Sequence, residues 1–272
     1  MSSSSSSSQI AIFFDLMGTC CDWLSSLLPL LLSLPPHPSL QTLGPNPRIS
    51  HDALVSLALA WRAGFFAEIH GRFERREGAE DIDVTHRRVL DRLLEERGVG
   101  IEAWDEEMRT RLVQQWHQQI PWPDVIPALE LLRARGNVFL VVLANGTTRL
   151  QLDIAQSSLI PFHTLLSSEL LGLTKPDSMM YLKAIDLVKL PPDRCVMLAS
   201  HLYDLEAAKG AGIRTVYVRR DTEDVGIEIE KELAKGYVDF SCDGRGVREA
   251  EQRNGGFRDA VHWIEKVYEK IS

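Results

Sequence analysis

Between Val138 and Val218 the sequence repeats one pattern: an apolar run of strand length, a few polar or small residues, then a helical segment. The runs are VFLVVL at Val138 to Leu143, a shorter one at His163 to Leu166, CVML at Cys195 to Leu198 and TVYV at Thr215 to Val218. Helical segments fall at Asp124 to Arg135, Thr147 to Ser157, Asp177 to Val188 and Tyr203 to Ala211, with Gly136 and Gly212 placed to end the first and last. Strands alternating with helices imply right-handed crossovers and a parallel sheet covered on both faces. The run IAIFF at Ile10 to Phe14 belongs to the same sheet, because an unbroken apolar strand is buried on both sides. Val238 to Phe240 reads as an edge strand, Asp243 to Gly256 as a loop and Phe257 to Ile271 as a closing helix.

The interval from Cys20 to about Pro121 contains no such strand. Trp23 to Leu34 (WLSSLLPLLLSL) carries Pro29 and is too short to span a bilayer, so it reads as a short buried helix. Pro35 to Pro47, with Gly44, is a proline-rich linker. From Asp52 to His70 apolar residues recur at Leu54, Leu57, Ala58, Trp61, Phe65 and Ile69, the spacing of one helix face. Further helices are expected at Val84 to Arg97, ended by Gly98, and at Trp104 to Gln119, ended by Pro121. A helical module is thus inserted directly after the first strand.

A net charge of −8 opposes nucleic acid as a partner, since a phosphate-binding surface needs a basic excess. Four cysteines, two of them the adjacent Cys20 and Cys21, form neither a disulfide framework nor a paired zinc motif. A reduced, cytoplasmic setting with no membrane partner is expected. Ser2 to Ser8 cannot bury apolar surface and is expected to be disordered; it lacks the basic start and apolar centre of a signal peptide.

The first strand stops at Asp15, followed by Leu16, Met17, Gly18 and Thr19. Ligands of open parallel sheets bind beyond the carboxyl ends of strands, so this acid stands where chemistry is expected. The same edge receives Asn145 after VFLVVL, Lys175, and Ser200 to Asp204 after CVML. The segments FFDLMGT, LANGT, LTKPDSMMY and LASHLYDLEAAKGAG resemble the four ordered motifs of the haloacid dehalogenase superfamily, and within it the branch of L-2-haloacid dehalogenases.

The resemblance implies an α/β fold: a Rossmann-like parallel sheet core at 9–20 and 122–272, with an inserted helical cap domain at 21–121. It also implies that Asp15 is a carboxylate nucleophile held ionised by Lys175. Asp204 would position that lysine or orient water. Thr19 and Asn145 would fix Asp15 and the bound carboxylate by hydrogen bonds, and Arg62 would receive the departing halide. Leu16, Met17, Phe66, Tyr181, Ser200, His201 and Tyr203 would contribute to substrate binding, His201 either as a polar contact to substrate or as a histidine bonded to backbone.

Met17 separates the chemistries on this scaffold. The phosphatases of the superfamily carry a second aspartate there, which protonates the leaving alkoxide; such help is worth about 10²–10⁴ in rate, and a thioether has no proton to give. A halide leaves without one. Two positions depart from the dehalogenase pattern: Ala144 stands where a Ser or Thr usually binds the substrate carboxylate, and Ala199 replaces another serine.

The expected activity is hydrolysis of a carbon-halogen bond of an L-2-haloacid through an aspartyl ester, giving a 2-hydroxy acid. The expected partner is a small-molecule carboxylate, with no cofactor or required metal, and a homodimer is compatible with the reading. The alternatives are a related hydrolase, such as a magnesium-dependent phosphatase or an enzyme of larger natural products, and a binding module that has lost catalysis.

Overall fold

The computed structural model describes residues 9–41, 50–78, 80–247 and 255–269. The serine tract, residues 42–49 of the proline-rich linker, residues 248–254 of the loop expected before the last helix and the end of that helix lie outside the described residues. The chain divides into two compact units, one formed by Met1–Asp22 with Pro121–Ser272 and the other by Trp23–Ile120.

The first unit is an α/β layer structure. Its strands are β1 (Ile10–Phe14), β2 (Val138–Ala144), β3 (Thr164–Ser167), β4 (Cys195–Ala199), β5 (Arg214–Arg219) and β6 (Phe240–Asp243). They form one sheet in the order β3-β2-β1-β4-β5-β6, every neighbouring pair parallel. β1 lies between β2 and β4, with Phe14 opposite Val142 on one side and Leu198 on the other, and all five of its residues are buried. A strand so enclosed has no polar face, which is why IAIFF shows no alternation. The central strands fall within a residue of their expected bounds; β6 does not. It begins where the expected edge strand ended, because Asp239 accepts from the Thr215 backbone N–H at 2.9 Å and leads the chain into pairing from Phe240 onward.

The helices of the second unit are α1 (Trp23–Ser33), α2 (His51–Glu74), α3 (Ile82–Glu96) and α4 (Glu106–Gln114). α2 runs past its expected end at His70, and α4 is shorter than the expected Trp104 to Gln119. Asp105 caps α4 by accepting from the Met108 N–H at 2.9 Å, and the last turn tightens into a 3₁₀ turn at Gln115–His117. Trp104 is buried outside the helix and donates its indole N–H to the Pro35 carbonyl at 3.0 Å. The core of this unit is rich in tryptophan: Trp23, Trp61 and Trp116 pack ring on ring, with centroids 5.5 and 5.3 Å apart.

The first unit is completed by α5 (Val125–Ala134), α6 (Thr148–Ser158), α7 (Ser168–Leu171), α8 (Ser178–Val188), α9 (Leu202–Gly210), α10 (Ile229–Leu233) and α11 (Phe257–Glu269). The two short helices α7 and α10 lack a full amphipathic period and left no sequence signal. Among the described residues no helix is long and apolar enough to cross a membrane.

Candidate active site

Five strand ends deliver the polar residues of one site. Asp15 follows β1 immediately, and its N–H still donates to the Leu198 carbonyl at 3.1 Å, so the carboxylate starts from a backbone fixed by the sheet. The turn beyond it closes through N–H groups of Cys20 and Cys21 donating to the Leu16 carbonyl at 2.9 and 3.1 Å. Gly18 sits in that turn at φ +87°, and a β-carbon there would lie 2.3 Å from the Glu223 carboxyl carbon. Both the backbone angle and the space therefore require glycine.

Every oxygen of Asp15 is engaged. The Thr19 hydroxyl donates to Oδ2 at 2.7 Å, the Lys175 ammonium donates to Oδ1 at 3.1 Å, and Nδ1 of His201 lies 3.1 Å from Oδ2. Thr19 is itself held, its Oγ1 accepting from the Ser200 N–H at 2.9 Å. Burial alone would push the Asp15 carboxyl up. The charge of Lys175 and the bonds from His201 and Thr19 outweigh it and hold the group well below the usual carboxylate range. The carboxylate is thus ionised, partly dehydrated and fixed in orientation, the conditions under which a carboxylate can act as a nucleophile.

Lys175 bridges two acids. Its Nζ donates to Asp204 Oδ2 at 2.5 Å as well as to Asp15, and only 1% of the residue is exposed. Burial opposes its charge, but the two carboxylates override that and raise its pKa. Asp204, at the start of α9, has its other oxygen taken by the Tyr181 hydroxyl at 2.6 Å. Tyr181 is fully buried, so it supports Asp204 instead of lining a substrate surface. Asn145 also differs from expectation: its amide bonds to the backbone of Lys175, accepting from the N–H at 2.8 Å and donating to the carbonyl at 3.2 Å. Through these two bonds it places the lysine.

The ring of His201 lies between two carboxylates, with Asp15 on its Nδ1 side and Glu223 on its Nε2 side. Its Nε2 lies 2.7 Å from Glu223 Oε2, and the Thr222 hydroxyl donates to the other Glu223 oxygen at 2.8 Å. Burial would lower the imidazole, but hydrogen bonds and charge from Asp15 and Glu223 push it up to about 10. The sequence reading missed Glu223. The available signal was an acidic cluster, Asp221 to Asp224, directly after a parallel strand.

Leu16 is buried and Met17 half-buried beside Asp15, Tyr203 is half-buried at the start of α9, and Ser200 is fully buried with no hydrogen-bond partner for its hydroxyl among the described residues. Arg62 and Phe66 belong to the second unit, where the Arg62 guanidinium lies over the Phe66 ring at 4.4 Å and near the Trp23 ring at 5.7 Å. Burying a guanidinium among aromatic faces keeps its charge with little water around it.

The residues do not fit a resident divalent metal. An ammonium already lies between Asp15 and Asp204, the second Asp204 oxygen accepts from Tyr181, and among the described residues no three His, Cys, Asp or Glu side chains are grouped so that they could hold a metal ion.

A second buried ion pair anchors the loop behind Thr19. Arg220 donates to both oxygens of Asp124 at 2.9 and 3.1 Å and to the Thr19 carbonyl at 3.3 Å, with Trp122 and Phe257 rings 4.9 and 5.2 Å away.

This arrangement has counterparts. A solved L-2-haloacid dehalogenase superposes with a TM-score of 0.72 at 29% identity, covering 95% of this chain and 99% of its own. The (S)-2-haloacid dehalogenase H-109 of Pseudomonas putida is 28% identical over 120 residues, 43% of this chain and 53% of that protein. A glyceraldehyde 3-phosphate phosphatase of Methanopyrus kandleri is 27% identical over 153 residues, 54% of this chain and 65% of that protein. The match thus spans about half the length of the dehalogenase from Pseudomonas putida. A family model for haloacid dehalogenase-like hydrolase matches residues 11–212, from inside β1 to just past α9, and so takes in Asp15, Lys175 and Asp204. With most of the sequence matched and the sheet in place, the chain belongs to the haloacid dehalogenase-like hydrolases.

Proposed function

We propose that this hydrolase displaces halide from an L-2-haloacid, with Asp15 attacking C2 in line, inverting the centre and forming an aspartyl ester that water then cleaves to a D-2-hydroxy acid. The observation that carries the reading is the pairing of Lys175 with Asp15 beside a methionine at position 17. Lys175 keeps the nucleophile ionised in a dry site, and halide, the conjugate base of a strong acid, leaves unassisted. Thr19 fixes the carboxylate plane, Asp204 and Asn145 hold the lysine from its two ends, and Tyr181 fixes Asp204.

Arg62 is assigned the departing halide on the resemblance, and its aromatic surroundings suit a poorly hydrated anion. With alanine at positions 144 and 199, the Ser200 hydroxyl is the neighbouring group suited to a substrate carboxylate. Support also comes from the dehalogenases described above. The second reading, phosphate ester hydrolysis, draws on the resemblance to the phosphatase of Methanopyrus kandleri, but Met17 and the ammonium between the two acids weigh against it.

The test is incubation with 2-chloropropanoate. Chloride should be released, and Asp15→Asn should abolish the release. Phosphate release from an aryl phosphate with magnesium, lost on chelation and without any chloride from haloacids, would replace this reading with the second.

A further inference from the structure

The ester invoked above must be hydrolysed at the Asp15 carboxyl carbon, and something must take a proton from the attacking water. Lys175 is a poor acceptor, since two carboxylates hold its proton, and Asp204 already accepts from Lys175 and Tyr181. Among the described residues, one titratable group bonded to Asp15 remains. His201 presents Nδ1 to Asp15 Oδ2 at 3.1 Å, and Glu223 holds the far side of the ring through Nε2 at 2.7 Å.

We propose that His201, oriented by Glu223, is the proton acceptor that directs water onto the esterified Asp15. The inference rests on the aspartyl-ester reading. With a carboxylate oxygen 3.1 Å from Nδ1 and another 2.7 Å from Nε2, the resting imidazole is favoured in its doubly protonated form, one N–H for each acid. Esterification removes the charge of Asp15, and with it one of the two groups that keep His201 protonated. The proton on Nδ1 then passes to solvent, while Glu223 retains the one on Nε2 and fixes the tautomer.

The neutral ring now points a lone pair at the ester. Water oxygen bonds to the Asp15 carboxyl carbon as its proton moves to Nδ1, and the carbonyl electron pair shifts onto oxygen. As that pair returns, the bond to the ester oxygen breaks and the departing alkoxide takes the proton from Nδ1. Asp15 is left as the acid, and it returns its proton to Nδ1 to restore the ion pair. One proton reaches solvent per halide released, so the cycle balances.

The base is therefore silent while Asp15 is a nucleophile and active only once Asp15 is an ester. Other charged or titratable groups around the ring are Asp224, whose carboxylate accepts from the Leu202 N–H at 2.9 Å, the Tyr203 ring with its centroid 5.7 Å away, and Lys175 on the opposite oxygen of Asp15. Glu223 touches no reacting atom and is a positioning residue.

Single-turnover incubation of the full chain with 2-chloropropanoate tests this, following chloride release and the mass of the peptide that contains Asp15. His201→Gln should give one equivalent of chloride, then stop, with the peptide carrying the ester; hydrolysis should slow by about 10²-fold or more, the usual reach of general base catalysis. Glu223→Gln keeps the imidazole and should retain the chloride burst, while the pH profile of ester hydrolysis moves.

Turnover of His201→Gln at the wild-type rate with no adduct overturns the inference. So does loss of the burst itself in a variant with a wild-type unfolding midpoint, because His201 would then serve the nucleophile. If His201→Gln does not fold, an unmoved pH profile in Glu223→Gln overturns it. Wild-type protein that forms no adduct and releases no chloride from 2-haloacids instead removes the ester reading, and this inference falls with it.

Discussion

The first unit buries two cation-carboxylate clusters with opposite characters. Arg220 and Asp124 have side chains that are 0% exposed, and the donors of the guanidinium go to Asp124 and to the carbonyls of Thr19 and Gly244. The Phe257 N–H adds a further bond to Asp124, so both charges of the pair are met from within the fold. At Asp15 a single ammonium serves two acids, the carboxylate side chain keeps 11% of its surface, and the neighbouring Ser200 has a hydroxyl with no hydrogen-bond partner among the described residues. Buried charge thus makes a sealed scaffold pair in one place and a carboxylate that still meets its surroundings in the other. The difference lies in sharing: one guanidinium matches one carboxylate, whereas one ammonium is divided between two.

That contrast predicts different losses. Asp15→Asn should remove chloride release from 2-haloacids entirely while the sheet, and hence the far-ultraviolet spectrum, stays as in the wild type; measurable turnover would put the reagent elsewhere.

The next effect is on pH dependence. His201 is raised from 6.5 to about 10, so its stabilising contribution is complete below pH 6.5 and is lost as pH rises toward about 10. Unfolding free energy should fall across that window in urea titrations, and His201→Gln should flatten the fall. Asp15 has the opposite sign: its contribution is present above its ordinary value of 3.8 and is lost only on strong acidification.

Arg220→Met should cost roughly 3–5 kcal/mol of stability, because it strands a buried carboxylate, and the double variant with Asp124→Leu should recover much of it. Chemical denaturation checks both. Gly18→Ala should cost about 1–3 kcal/mol from the left-handed backbone alone, and because its methyl group would meet Glu223 it should also slow turnover more than its stability loss explains.

The central strands could be read from the chain because burial on both faces leaves an uninterrupted apolar run, as at Ile10–Phe14 and Val138–Ala144. The edge was harder. β6 has one buried residue in four, and a side-chain bond from Asp239, invisible in a hydropathy pattern, sets where its pairing begins. α4 was overextended because Trp104 and Trp116 fit the helical period although each lies outside the helix. At the site, Asp15, Lys175 and Asp204 stand out because each ends an apolar run or belongs to an ordered motif. Glu223 does not, since it meets His201 across 22 residues by way of β5, and only the register of the sheet brings the two together. Asn145 was correctly placed at a strand end, but its partner was the lysine backbone, a contact that residue type alone does not specify.

One stitch in the first unit reaches beyond catalysis. Where the chain departs after Asp22 and returns at Pro121, the two segments are fastened to each other: Cys21 bridges Pro121, the Trp122 N–H donates to the Cys20 carbonyl at 3.0 Å, and its indole donates to the Gly18 carbonyl at 2.9 Å. Both ends of any passenger sequence spliced there are clasped by the host itself, so lengthening or replacing the passenger adds only a slowly growing loop-closure term. Such a socket lets one hydrolytic chassis exchange its helical module for another without relearning how to fold.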